Sequence, residues 1–137
     1  MACRPPPIRW LSVEAVRAMH RELIAEHGGL PGPAKPGLLE AALARPGSRL
    51  AYAEAPPSLA ELAAAYGFGL ARAHAFPDGN KRIALAAIDA FLQLNGKELT
   101  ASEADAVSTI RALAAGELSE NALAAWIDRH SEALAPE

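Results

Sequence analysis

Residues 74–82 bring together side chains that could carry out chemistry. The sequence there is His-Ala-Phe-Pro-Asp-Gly-Asn-Lys-Arg. Pro77, Asp78 and Gly79 predict a turn, because proline fixes one backbone dihedral and Asp-Gly tolerates the tight geometry that follows. An apolar helical run starts directly after the motif and predicts a helix beginning near Asn80. A loop that opens a helix would direct a base, a carboxylate and two cations at one small volume, so we expect an active site.

The first turn of the predicted helix offers an anion-binding site. Its backbone N–H groups have no partners within the helix and lie at the positive end of the helix dipole. Lys81 and Arg82 would lie at this same end, where cations are disfavoured by about 0.3–1 kcal/mol. A polyphosphate would offset that repulsion, since Arg82 offers a forked set of donors and Lys81 a compact charge.

Asp78 and His74 extend this chemistry. A carboxylate beside phosphates repels them unless a divalent cation lies between, and Mg²⁺ commonly binds one or two carboxylates together with phosphate oxygens. Phosphate, Asp78 and magnesium therefore form a consistent set. His74 has an unperturbed pKa of about 6.5, which suits a general base near neutral pH. It would take the proton of a hydroxyl that attacks a phosphoryl group.

The nine residues resemble the signature of the death-on-curing (Doc) toxins, a branch of the Fic fold with the pattern His-x-Phe-x-Asp/Asn-Gly/Ala-Asn-Lys-Arg. Residues 27–32 (His-Gly-Gly-Leu-Pro-Gly) and 37–46 resemble the amino-terminal half of this family. Residues 66–72 resemble the helix that enters the loop, and residues 84–96 resemble its central helix. The resemblance covers most of the chain and its motif is specific.

This resemblance implies an activity. Typical Fic enzymes transfer AMP and have Gly where this chain has Lys81 and a second Arg where it has Leu85. In the Doc branch the nucleotide binds in the reverse sense, and the γ-phosphate is transferred. The resemblance therefore implies an ATP-dependent protein kinase that modifies a threonine of a translation elongation factor and arrests translation, as the toxin of a type II toxin–antitoxin system. AMP transfer and a non-catalytic helical binding module stay open as alternatives.

The resemblance also assigns roles within the motif. His74 would activate the target hydroxyl, and Asp78 would bind Mg²⁺. Phe76 would anchor the loop to the core, and Arg72 is a weaker candidate for a substrate or structural contact. ATP is the implied cosubstrate, and its phosphates would be held by Gly79, Asn80, Lys81 and Arg82.

A separate protein is expected to restrain the enzyme. Self-inhibiting Fic enzymes carry a helix with the pattern Ser/Thr-x-x-x-Glu-Gly/Asn. Glu120 and Asn121 match its last two residues, but Gly116 stands where the hydroxyl is required. The resemblance instead implies a small, Phd-like antitoxin, which would supply a segment that folds into a groove on the toxin.

Composition limits the remaining possibilities. A chain of 137 residues suits one domain spanning 1–137. The formal charge of −3 argues against direct nucleic-acid binding. No apolar run is long enough to span a bilayer, and the amino terminus lacks the apolar core of a signal peptide, so we expect a cytoplasmic protein. Cys3 is the single cysteine, which excludes an intrachain disulfide.

The predicted elements before the motif begin with an extended lead-in at 1–9, caused by three consecutive prolines. Ser12 would cap a helix that ends at Gly28, with His20 on or beside its apolar stripe, where packing is favoured over ligand binding. Residues 30–37 hold three prolines and two glycines and predict a loop. This loop resembles the flap that lies across Fic active sites, with surface connection as the alternative. A short helix at 38–44 would end at Pro46.

The elements around and after the motif complete an all-α prediction. A capping box at Ser58 opens the helix that delivers His74, and close packing against a neighbour would offset the cost of Gly67 and Gly69 inside it. The central helix would stop at Gly96. Two further helices are expected at 102–115 and 119–134. We therefore predict a Fic-fold helical bundle around a central helix preceded by the active-site loop, with a short β-hairpin flap as a possible addition.

Overall fold

The structure, a computed structural model, describes residues 7–134 and is predominantly helical. Its first three helices are α1 (Val13–His27), α2 (Leu38–Tyr52) and α3 (Leu59–Ala73). They are followed by α4 (Asn80–Leu94), α5 (Glu103–Ala114) and α6 (Glu120–Arg129). Two short strands, β1 (Lys97–Leu99) and β2 (Ser131–Ala133), pair in antiparallel fashion. The all-α prediction is confirmed.

Serine residues cap the amino termini of four of these helices. Each Ser hydroxyl accepts a hydrogen bond from a backbone N–H in the first turn, which satisfies a donor that the helix itself leaves unpaired. Ser12 caps α1 and Ser58 caps α3, as the sequence predicted, and Ser102 and Ser119 cap α5 and α6. Short polar caps therefore account for most of the helix starts.

The core lies between α3 and α4, the two helices on either side of the motif. α3 packs against α2, α4, α5 and α6, and nine of its residues are buried. α4 contributes Ile88, Phe91 and Leu92 to the core, each with no exposed surface, whereas Leu85 is partly exposed. Gly67 permits close approach, because a Cβ there would lie 2.5 Å from the Ile88 side chain. The predicted packing role of this glycine is confirmed.

Helix α2 is longer than predicted. The sequence predicted that Pro46 would end the helix after residue 44, but α2 continues through this proline to Tyr52. A proline inside a helix removes one backbone hydrogen bond and costs about 3 kcal/mol. Tertiary contacts offset this cost: Pro46 is buried, Arg45 pairs with Glu120, and Arg49 pairs with both Glu120 and Glu61.

The predicted helix at 119–134 is also wrong in its last third. α6 ends at Arg129, and the following residues form β2, with Ser131 opposite Leu99 and Ala133 opposite Lys97. Hydrogen bonds continue beyond the strand, since Leu134 N–H donates to the Gly96 carbonyl at 2.9 Å. Pairing with a strand distant in sequence overrides the local helical pattern.

The two-stranded sheet is not a flap. The connection between α1 and α2, residues 28–37, contains no strand, so the possible β-hairpin is not found there. We call this connection the flap segment. The extended lead-in predicted for 1–9 lies mostly outside the described residues. Among residues 7–134, no helix is long and apolar enough to cross a membrane.

Candidate active site

Residues 74–79 form a loop between the end of α3 and the start of α4, which we call the site loop. His74 caps the carboxyl end of α3 with φ 49° and ψ 44°, in the left-handed region. It is the one non-glycine residue with positive φ in the described part of the chain. Such a conformation costs about 1–3 kcal/mol and persists when surrounding contacts impose it. The His74 side chain is exposed at the first position of the site loop.

A pair of hydrogen bonds closes the site loop. The Phe76 N–H donates to Asn80 Oδ1 at 3.1 Å, and Asn80 Nδ2 donates to the Phe76 carbonyl at 3.0 Å. Phe76 is buried, as expected of an anchor. The side-chain amide of Asn80 is therefore used to hold the loop, and its contribution to an anion site would come from its backbone N–H.

Backbone donors hold the Asp78 carboxylate. Leu30 N–H donates to Oδ2 at 3.0 Å, and Gly79 N–H donates to Oδ1 at 2.8 Å. These two hydrogen bonds, the Leu30 one foremost, lower the pKa of Asp78 below its usual value, and Arg82 adds a smaller attraction. The carboxylate is exposed. Asp78 is thus ionised and oriented at neutral pH while accessible to a ligand.

The flap segment lies against the site loop. Besides the Leu30 contact, Lys35 N–H donates to the Ala75 carbonyl at 2.7 Å. Two glycines allow this close approach: a Cβ at Gly29 would lie 2.9 Å from Asp78 Oδ2, and a Cβ at Gly32 would lie 2.9 Å from Pro77. The segment is a connection between helices that also packs against the site loop, and its role as a flap toward a target stays a prediction.

His20 reaches the site loop from α1. The residue is 2% exposed, and its ring stacks on Phe76, with centroids 3.7 Å apart and planes 11° apart. Its Nε2 lies 2.7 Å from the Asp78 carbonyl oxygen. The prediction of a buried, hydrogen-bonded histidine is confirmed, but its partner is the loop that carries the chemistry.

The amino terminus of α4 differs from the other helix starts in residues 7–134. Its cap is Gly79, which has no side chain to bond the first-turn N–H groups, and the first turn contains no acidic residue. Each of the five other described helices has an acidic residue there. Lys81 and Arg82 are exposed at this end, and Arg82 Nη1 lies 3.4 Å from the Gly28 carbonyl. The terminus therefore has unpaired donors and positive charge, and it favours an anion.

The contacts of the Arg72 side chain lie outside the site loop. Its guanidinium lies 5.5 Å from the centroid of the Phe68 ring, whose other cationic neighbour is Arg45 at 4.6 Å. It also lies close to Gly116, in the connection between α5 and α6. These contacts favour the structural role over the substrate role for this weaker candidate.

The donor set fits a magnesium–nucleotide complex. No group of three or more His, Cys, Asp or Glu side chains in residues 7–134 is arranged to hold a metal ion. One exposed carboxylate beside a helix terminus that attracts phosphates matches the way Mg²⁺ binds, with few protein ligands and several phosphate or water oxygens. Asp78 would be the protein ligand, and the α4 terminus with Lys81 and Arg82 would hold phosphates.

A groove opens beside the site loop between α1 and the flap segment. Its volume is about 520 Å³. Its lining combines apolar side chains, among them Ile24 and Phe76, with the two arginines Arg17 and Arg21. The groove could therefore receive a segment with both apolar and acidic groups, next to the residues that would carry the chemistry.

The residues that hold the site loop from outside were not predicted from the sequence. His20, Leu30 and Lys35 all contact it, and the last two do so through backbone N–H groups. The position of His20 on an apolar stripe indicated burial but not its partner. Backbone donors leave no side-chain signal in a sequence.

The sequence is similar to those of known proteins. Residues 10–92 match the model of the Fic/DOC family. The chain belongs to the Fic/DOC family. It is 39% identical over 122 residues to "Protein kinase doc" of Escherichia phage P1, an alignment that covers 89% of this chain and 95% of that protein. It is also 51% identical over 65 residues to "Toxin Doc" of Mycolicibacterium smegmatis, covering 47% of this chain and 50% of that protein.

Proposed function

We propose that the protein is a Doc-type toxin that transfers the γ-phosphate of ATP to a threonine hydroxyl of a target protein, with Mg²⁺ as cofactor. A translation elongation factor is the proposed target, and its phosphorylation would arrest translation. The names of the two relatives support the kinase and toxin parts of this proposal. The whole chain would act as one domain.

One observation carries the proposal. The start of α4 combines an uncapped helix terminus, two exposed cations and an oriented, exposed carboxylate. A bare anion would be attracted by the terminus and by Lys81 and Arg82, but it would be repelled by Asp78. A magnesium-bound polyphosphate would satisfy both, because Asp78 would hold the metal and the charge of the metal would offset the repulsion between Asp78 and the phosphates.

His74, at the opposite end of the site loop, would act as the general base. As the target oxygen forms its bond to the γ-phosphorus, the hydroxyl proton passes to the His74 imidazole. The bond between the γ-phosphorus and the bridging oxygen breaks, and ADP leaves with that electron pair. Arg82, Lys81 and the α4 N–H groups would stabilise charge on the phosphate oxygens. Magnesium, when bound, adds further neutralisation of that charge.

Restraint and location belong to the same proposal. A small Phd-like antitoxin would inhibit the toxin by docking a segment that folds on binding, and the apolar groove with Arg17 and Arg21 supports such docking. ATP and elongation factors are cytoplasmic, so we propose that the protein acts in the cytoplasm. No direct contact with nucleic acid or membrane is part of this function.

A labelling experiment tests the reaction. The purified chain is incubated with Mg²⁺, a purified bacterial translation elongation factor and ATP labelled at either the α- or the γ-phosphate. His74→Ala is the blank, and His27→Ala, which removes another exposed histidine, is the matched control. We expect γ-label alone on the factor, a rate lowered by about 10²–10⁴-fold in His74→Ala, and little change in His27→Ala.

The alternatives give different outcomes. Label from the α-phosphate would identify an AMP transferase and overturn the interpretation of Lys81. No label with either ATP, both on the purified factor and in a whole bacterial extract, would favour a non-catalytic binding module. Label on another protein of the extract would retain the kinase and replace the proposed target.

A further inference from the structure

Apart from the hydroxyl of Tyr66 and the indole N–H of Trp126, His20 carries the one buried polar side chain in the described part of the chain. It lies on α1, and the atom it contacts belongs to a residue 58 positions further along the sequence. Burying a histidine has an energetic cost unless its ring nitrogens are hydrogen-bonded. A phenylalanine would fill the same space without that cost, so the polar group calls for an explanation beyond packing.

The ring contacts the site loop at two points. One face lies against the Phe76 ring, with centroids 3.7 Å apart. Nε2 lies 2.7 Å from the Asp78 carbonyl oxygen. A carbonyl oxygen only accepts hydrogen bonds, so Nε2 must carry the proton and donate. Gly79 leaves room for this arrangement, since a Cβ added there would lie 3.4 Å from Nε2.

The contact with the carbonyl sets the direction of the next N–H group. The Asp78 carbonyl and the Gly79 N–H belong to one planar peptide group, and no cis peptide bond occurs in the described residues. In a trans peptide these two groups point in opposite directions. When His20 holds the carbonyl toward α1, it turns the Gly79 N–H away from α1, where this N–H donates to Asp78 Oδ1 at 2.8 Å.

We propose that His20 is a positioning residue for phosphoryl transfer, and that its Nε2–H fixes the Asp78–Gly79 peptide so that the Asp78 carboxylate and the α4 terminus face the phosphates. This inference rests on the proposed function. The Phe76 stack alone would make His20 a packing residue. The hydrogen bond to the Asp78 carbonyl requires the Nε2–H group, which stacking on Phe76 does not.

Two substitutions separate these roles. His20→Phe keeps a ring that can stack on Phe76 and removes the donor. His20→Gln removes the ring and keeps an N–H donor near the position of Nε2. The matched control is Tyr66→Phe, because the Tyr66 hydroxyl accepts a buried hydrogen bond from Leu11 N–H, away from the site loop. Urea unfolding of all three variants tests whether each of them is folded.

The first measurement is the rate of γ-phosphate transfer as a function of Mg²⁺ and ATP. We expect kcat to fall by about 10–100-fold in His20→Phe, since small displacements of a catalytic group have effects of that size. His20→Gln should recover most of the rate although it loses the stack, and Tyr66→Phe should match the unchanged chain. Equal rates for His20→Phe and Tyr66→Phe would overturn the inference.

The second measurement does not depend on transfer. Hydrogen exchange of the Gly79 amide, followed by NMR without nucleotide, reports the hydrogen bond that the peptide orientation permits. We expect exchange about tenfold faster in His20→Phe and unchanged in Tyr66→Phe. If the protein without substitutions transfers no phosphate, the proposed function is wrong. The exchange rate of the Gly79 amide would still show whether His20 orients the Asp78–Gly79 peptide. Unchanged exchange in His20→Phe would refute it.

Discussion

The site loop and the helix pair that carries it are held by different kinds of contact. α3 and α4 pack through apolar and small side chains, with Gly67 against Ile88 and Tyr66 against Phe91. Apart from the buried Phe76 ring, the site loop is held by polar contacts, nearly all of which involve a backbone atom. Apolar packing determines where the two helix ends lie, and the polar contacts determine which conformation the loop adopts between them. Stability and site geometry should therefore respond to different substitutions.

Phe91→Ala should have the largest effect on stability. Phe91 is fully buried on α4 and contacts the Tyr66 ring at a centroid distance of 5.0 Å. Removing its ring should lower the free energy of unfolding by about 3–5 kcal/mol, measured by urea denaturation. Leu94→Ala, on the same helix at a 42% exposed position, should cost less than about 1 kcal/mol. Similar losses in both variants would argue against the α3–α4 core.

Asn80→Ala should disturb the loop more than the core. The substitution leaves the Phe76 N–H and carbonyl without the Asn80 partners that close the loop. We expect a loss of about 1–3 kcal/mol in unfolding free energy, together with reduced transfer activity. The control is Gln93→Ala, which removes a hydrogen bond to Asp89 on the exposed part of the same helix and should cost about 0.5 kcal/mol or less. An active Asn80→Ala variant would contradict the proposed loop-closing role.

Gly28 and Gly29 separate the effect of backbone strain from the effect of contact with the site loop. Gly28 and Gly29 both have positive φ, 80° and 119°, so alanine at either position costs about 1–3 kcal/mol of backbone strain. Only at Gly29 would the new Cβ meet Asp78, since nothing lies within 4 Å of a Cβ at Gly28. We expect Gly29→Ala to lower the transfer rate about tenfold more than Gly28→Ala does. Equal rates would show that the flap segment does not influence Asp78.

The pH dependence of stability should show the smallest effect. Hydrogen bonds from Leu30 and Gly79 lower the pKa of Asp78 in the folded chain, so its carboxylate stabilises the fold above the unfolded pKa of about 4. This contribution is lost as the pH falls through the folded pKa. Asp78→Asn lacks the titrating group, so the difference in urea midpoint between the two proteins should shrink between pH 6 and about pH 3. A constant difference would mean that these hydrogen bonds do not favour the ionised form.

Local patterns predicted the fold where local contacts decide it. Ser12, Ser58 and Gly96 marked helix ends correctly, because caps and glycine stops act within a few residues. The prediction failed at Pro46 and at residues 131–133, where ion pairs with α6 and α3 and pairing with β1 override local preference. These partners lie 12 or more residues away in the sequence, and periodicity contains no information about them.

The candidate site was likewise predicted only in part from the sequence. The motif at 74–82 contains all the side chains of the proposed chemistry, so their types and spacing were visible in the sequence. The use of the Asn80 amide to close the loop was not predicted, nor was the contact between His20 and the Asp78 carbonyl. Both involve backbone atoms, whose availability depends on a loop conformation that spacing does not specify.

The backbone donors of the flap segment have a consequence for sequence divergence. Leu30 and Lys35 hold the site loop through their N–H groups, while both side chains are exposed. Any residue except proline can supply the same donor. The side chains at 30 and 35 can therefore change without releasing the loop. Related toxins could therefore differ in the surface that contacts partner proteins and still keep the backbone hydrogen bonds that hold the site loop.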